Sequence, residues 1–258
     1  MHSAKFAFDV CGFGSINVDY IVAGPAGDPY FDELSEGEER AVHDPKELRE
    51  HIERLDSPAK HIGGSAVNAI HALHAIDKRL RLALVGPLGD LPAGVSLDQL
   101  GGIDVSGVVP FKGDANACVS VVEGAERKLR PYNDPAGVRK LLVEKRDETI
   151  AALSRARLIH VTSLIGPSTG PLVGEILAAV RAVTDNETQI SVDLGQPWAE
   201  DRAASEAILP HAGVILISEE ELRALLPGLP SPLTRDDERD AIDRLLSRYS
   251  SALSANVS

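Results

Sequence analysis

Apolar and polar positions near the start of the chain fall into two short runs, residues 5–14 and 16–22. In the second run Ile16, Val18, Tyr20 and Val22 alternate with Asn17, Asp19 and Ile21. That is the period of a strand with one buried face, so Asn17 and Asp19 project together from the other face. Residues 24–60 break the rhythm, being acidic, rich in Gly, Pro and Glu and poor in apolar residues. Within them a short exposed helix is expected from Pro45, with Asp44 as its N-cap. Next comes "GGSAVNAIHAL" at 63–73, a glycine pair before a helix of small and apolar residues. It sets Asn68 and His71 on one stripe and Ala66, Ile70 and Leu73 on another.

Further along, residues 81–86 form a short buried strand. Residues 114–132 alternate on both sides of Gly124, the pattern of an antiparallel hairpin. From residue 150, strands at 157–163, 189–195 and 213–218 alternate with helices at 171–185, 199–209, 219–226 and 235–250. Buried strands separated by helices imply a mainly parallel sheet covered on both faces. The expected organisation is one α/β domain over 1–258. The more polar segments, about 24–60 and 114–132, would form a flap over a site.

Composition narrows the function classes. The 258 residues are 43% hydrophobic with a net charge of −13, so neither nucleic acid nor a membrane surface is an expected partner. No run reaches the roughly 18 apolar residues of a membrane span, and residues 1–13 lack a signal peptide's apolar core. Two cysteines, Cys11 and Cys118, fit small buried side chains in a reducing compartment. A cytoplasmic location is expected.

A glycine pair at a helix N-terminus exposes bare backbone N–H groups at the positive end of the helix dipole. In an open α/β sheet such a turn faces the crevice where ligands bind. A buried Asn68 would then find partners in a ligand's hydroxyl groups. An ordinary tight turn before a core helix, its Asn bonded to a neighbouring loop, explains the same residues.

Several stretches together resemble the ribokinase-like, or PfkB, family of sugar and nucleoside kinases. They are "GFGSINVDYIV" at 12–22, "GGSAVNAIHAL" at 63–73, "LVGPLGD" at 84–90 and "GGIDVSGV" at 101–108. "ISVDLGQPW" at 190–198 and "ILISEEELRALL" at 215–226 follow in the family's order. The resemblance implies a three-layer α/β/α sandwich with a mainly parallel sheet and a small β lid. It also implies transfer of the γ-phosphoryl group of ATP, with Mg²⁺, to a hydroxyl of a sugar or nucleoside. Asn17, Asp19, Gly63, Gly64 and Asn68 would bind the acceptor's hydroxyls. Glu221 matches the family's glutamate linked to magnesium and phosphate. Ser218 stands where the family has asparagine, on the nucleotide side. A homodimer joined through the lid is a further expectation.

The family's Gly-Ala-Gly-Asp element, whose glycines cradle the transferring group and whose aspartate is the base, does not occur. "GPAGD" at 24–28 lies too early, and "GPLGD" at 86–90 belongs to another segment. The family's later strands and helices are therefore expected to be missing, giving a C-terminally truncated and impaired kinase. An unpaired sheet edge is expected near "ALSANVS". The alternative is a non-catalytic sugar- or nucleoside-binding remnant. A further rival is an α/β-hydrolase using Ser168 of "GPSTG", with Asp193 and His211 following in hydrolase order.

Overall fold

The computed structural model describes residues 5–23, 29–34, 38–55, 58–123, 126–162, 164, 166 and 168–254. Ten strands lie within them: β1 (Phe8–Phe13), β2 (Asn17–Ala23), β3 (Ala59–Gly63), β4 (Leu82–Asp90), β5 (Asp104–Asp114), β6 (Asn116–Glu123), β7 (Glu126–Tyr132), β8 (Ala156–Thr162), β9 (Gln189–Asp193) and β10 (Val214–Leu216). Six form one sheet in the order β10-β9-β8-β1-β4-β5, and every pair in it is parallel. The other four form a second sheet, β3-β2-β6-β7. There β2 runs antiparallel to β3 and parallel to β6, and β6–β7 is the expected hairpin. Gly124, expected in its turn, lies outside the described residues, as do residues 24–28.

The helices are α1 (Pro29–Asp32), α2 (Pro45–Arg54), α3 (Ser65–Ile76), α4 (Pro135–Arg139), α5 (Arg146–Leu153), α6 (Thr169–Val183), α7 (Gly195–Glu200), α8 (Arg202–Ile208), α9 (Glu219–Leu225) and α10 (Arg235–Ser254). Strand alternation splits the core in two. On one face of the large sheet Cys11, Phe13, Ala83, Val85, Ile159 and Val161 pack with the apolar sides of α5, α6, α8 and α10. On the other, Val10, Leu82 and Leu84 meet Val67 and Ile70 of α3 and the inner face of the second sheet. This is the three-layer α/β/α arrangement with a small second sheet.

Some local expectations are corrected. The helix of residues 199–209 is two helices, because the Asp201 carboxylate caps a fresh start at Ala203 and Ala204. The 24–60 segment is not only surface, since Phe31, Leu34, Val42 and Leu48 are buried in the second core. Asp44 does cap α2, accepting from the Lys46 N–H at 2.8 Å. The open edge of the large sheet beyond β9 is β10, with Val214 and Leu216 half exposed. Of "ALSANVS", near which an edge was expected, residues 252–254 belong to α10 and residues 255–258 are outside the described set.

Candidate functional site

Two adjoining cavities open where the parallel strands end. The first, about 490 Å³, is lined by Asn17 and Asp19 of β2, Gly64, Asn68 and His71 around α3, and side chains of β6 and β7. The second, about 870 Å³, is lined by Thr162 at the end of β8, Asp193 at the end of β9, Gly195, and Ser218 and Glu221 at the start of α9. Glu39, Ser65, Arg127 and Leu129 line both.

The first cavity is built from the β1–β2 turn outward. Ser15, buried, donates to Asn17 Oδ1 at 2.6 Å and accepts from Asn116 Nδ2 at 3.0 Å and from Asn133 Nδ2. Asn116 Oδ1 in turn takes the Asp134 N–H at 2.8 Å. Four buried polar residues thus satisfy one another and lock Asn17, as buried polar groups must be locked. Two residues on, Asp19 receives hydrogen bonds from the Gly64 N–H and the Asn68 side chain. These hold the carboxyl down, but burial outweighs them and its pKa stands above the usual carboxylate value. Asp19 Oδ1 is buried without a hydrogen-bond partner.

The glycine pair has two separate reasons. A Cβ on Gly63 would overlap the Asp19 carboxylate, and one on Gly64 would strike the Ser15 carbonyl. Gly64 also has φ +101°, which side-chain-bearing residues rarely adopt. The pair therefore seats the protein's own carboxylate and the turn against α3, rather than only admitting a ligand. Asn68 is exposed on the cavity side of α3 and not buried as expected.

In the second cavity Ser218 and Glu221 form a capping box. The Glu221 N–H donates to Ser218 Oγ at 3.2 Å, and Glu221 Oε2 accepts from the Ser218 N–H at 2.9 Å. Burial and the nearby Asp193 and Glu220 raise the Glu221 pKa. Asp193 is likewise raised, by burial, against the pull of His160. Among the described residues no group of three or more His, Cys, Asp or Glu could hold a metal ion.

Sequence reasoning missed Glu39 and Arg127. Glu39 arrives because residues 38–42 run alongside β7, bridging Leu129 and donating from the Val42 N–H to the Pro131 carbonyl. Burial raises its pKa, Asp193 adds to that, and Arg127 opposes it. Alternation along the hairpin was the available signal for Arg127, two positions from Leu129. Nothing local marked Glu39.

The hydrolase constellation is not assembled. Ser168 has φ +59° at the start of α6 and makes no hydrogen bond to a histidine among the described residues. His211 instead lies beside Arg181, which donates to its backbone carbonyl.

Residues 39–252 match the profile of the pfkB family carbohydrate kinases. The chain belongs to that family. Among curated proteins none matches it. Solved structures with the same fold include adenosine kinase from Anopheles gambiae in complex with P1,P4-di(adenosine-5) tetraphosphate, at 16% identity and TM-score 0.70, covering 92% of this chain and 70% of that one. Adenosine kinase from Sinorhizobium meliloti matches at 18% identity and TM-score 0.68, covering 95% and 72%. A putative 2-keto-3-deoxygluconate kinase from Enterococcus faecalis matches at 18% and 0.60, covering 95% and 68%.

Proposed function

We propose that the first cavity binds the hydroxyl groups of a sugar or nucleoside, as the acceptor half of an ATP-dependent kinase site, in the cytoplasm. The observation that carries this reading is the unpartnered, buried Asp19 Oδ1 in the wall of the cavity. A buried carboxylate oxygen without a donor is costly, and a ligand hydroxyl supplies the donor. Asn17, its oxygen taken by Ser15, offers its amide hydrogens to a neighbouring hydroxyl. Gly63 and Gly64 fix where Asp19 sits, and Asn68 orients it.

The second cavity suits the nucleotide. Asp193 and Glu221 present hard carboxylate oxygens, which suit Mg²⁺ held chiefly through nucleotide phosphates. Glu221 keeps one oxygen outside its capping box for that purpose, and Ser218 stands beside it. When bound, Mg-ATP supplies the phosphoryl group. The chain's own contribution is the shared wall, where the Arg127 guanidinium and the N-terminus of α3 at Ser65 face both cavities. A positive group there stabilises charge on a group passing from one to the other.

The 258 residues contain no Gly-Ala-Gly-Asp, and a positioned base contributes about 10²–10⁴-fold. This polypeptide by itself is therefore a binder that turns over poorly. The second sheet acts as the lid, and its β3 edge is where two chains would pair into a homodimer.

The test uses the purified polypeptide, titrated calorimetrically with sugars and nucleosides and assayed for ADP release with Mg-ATP. Saturable acceptor binding without ADP formation is expected. No binding by any acceptor sinks the reading of the cavity. Turnover near ordinary kinase rates of about 1–100 s⁻¹ sinks the impairment.

A further inference from the structure

We infer that the acceptor is a neutral, unphosphorylated polyol of monosaccharide size rather than a nucleoside, a sugar acid or a sugar phosphate. This rests on the reading of the first cavity as the acceptor site, and it goes further by choosing among acceptor classes.

The first argument is where the aromatic side chains are. A nucleoside presents a flat π face, and proteins commonly meet such a face with an aromatic ring. The sequence has five Phe, four Tyr and one Trp. All but Phe6 and Tyr30 are buried among the core residues. Tyr30 is already stacked on His51 at 4.0 Å between ring centroids, with Arg130 over its ring. Phe6 precedes β1, at the end of the sheet opposite the cavities. The residues outside the described set include no Phe, Tyr or Trp. The wall of the first cavity thus holds no Phe, Tyr or Trp for a base to lie on, and its only rings among the described residues besides Pro131 are the imidazoles of His61 and His71.

Charge is the second argument. Asp19 and Glu39 both line the first cavity, and Arg127 is the one Lys or Arg among the described residues that does. Its field falls on both carboxylates, which outnumber it in this wall. A ligand carboxylate or phosphate would add a third negative charge to a wall that can match one. The chain's net charge of −13 adds a repulsive long-range field.

The third argument is what the wall does offer. Besides Asn17 and Asp19 it presents Asn68, His71, Gln99 and Ser120, from several directions. These donate to and accept from hydroxyls, the one group a free sugar carries all round.

The experiment is calorimetry on the 258-residue polypeptide with three sets of probes. They are glucose, fructose and ribose; adenosine and uridine; and gluconate and fructose 6-phosphate. At least one neutral sugar should bind tenfold or more tighter than every probe in the other two sets, and Asp19→Ala should weaken that binding roughly 10- to 100-fold. In Glu39→Gln, with one carboxylate removed, the gap between neutral and anionic sugars should narrow. Tighter binding of adenosine or uridine overturns the inference while leaving the acceptor-site reading intact. So does tighter binding of gluconate or fructose 6-phosphate that is lost in Arg127→Ala. Silence from all three sets removes the acceptor-site reading itself, and this inference with it.

Discussion

The Asp19 carboxylate lies against the bare Cα of Gly63, on the strand paired antiparallel to its own. The neighbouring Gly64 N–H and Asn68 side chain hold it there. The glycine therefore bears on the proposed acceptor site through the side chain it accommodates.

Two variants separate Asp19 from its support. Asp19→Ala removes a charged hydrogen bond worth about 1.5–3 kcal/mol, so acceptor affinity should fall roughly 10- to 100-fold. Gly63→Ala should lose comparable affinity although it removes no polar group, because the new Cβ displaces the carboxylate. Calorimetry measures both, and normal binding by Gly63→Ala would break the link between the two residues.

Gly64→Val tests the turn. Its positive φ and the Ser15 carbonyl both oppose a side chain, and a side chain in a strained backbone position costs about 1–3 kcal/mol. The thermal midpoint should drop by several degrees and binding should weaken. An unchanged melt would mean that the backbone relaxes freely there.

Binding should also depend on pH with a definite sign. The folded pKa of Asp19 lies above the usual carboxylate value because burial disfavours its charge. Ionising it costs stability as pH rises from the unfolded pKa through the folded one. A hydroxyl donating to Asp19 favours the ionised form, so affinity should strengthen over that same rise, with proton release on binding. Asp19→Asn should flatten the profile. Calorimetry in buffers of different ionisation enthalpy reads the proton count.

The edge strand offers a test of solution behaviour. β10 leaves one side of its backbone unpaired, and Val214 and Leu216 are half exposed beside it. Such edges invite strand-to-strand association. Val214→Lys should reduce association beyond the dimer proposed at β3 in light scattering, without lowering the melting temperature. Unaltered association would place the contact elsewhere.

What the sequence revealed and what it hid follow from how local each signal is. Asn17 and Asp19 shared a face because a strand's period is two, and both line the first cavity. Asn68 and His71 shared a stripe and meet it too. β5 escaped notice because Gly107 and Pro110 interrupt it, and Pro is tolerated there only because β5 is an edge strand. Three of the five residues of β3 are exposed, and two of them, Lys60 and His61, are polar where a strand signature would be apolar. Glu39 could not be found at all. It joins the site through a pairing with Leu129, ninety residues away in sequence, and no pattern within a short window reports that.

The wall common to the two cavities makes their occupancies a single thermodynamic problem. Glu39, Ser65, Arg127 and Leu129 face both, so whatever settles them for one guest changes the cost of admitting the other. By linkage the effect is reciprocal: the factor by which an acceptor alters nucleotide affinity equals the factor by which the nucleotide alters acceptor affinity. The two proposed guests would thus report on each other through four side chains as well as by direct contact.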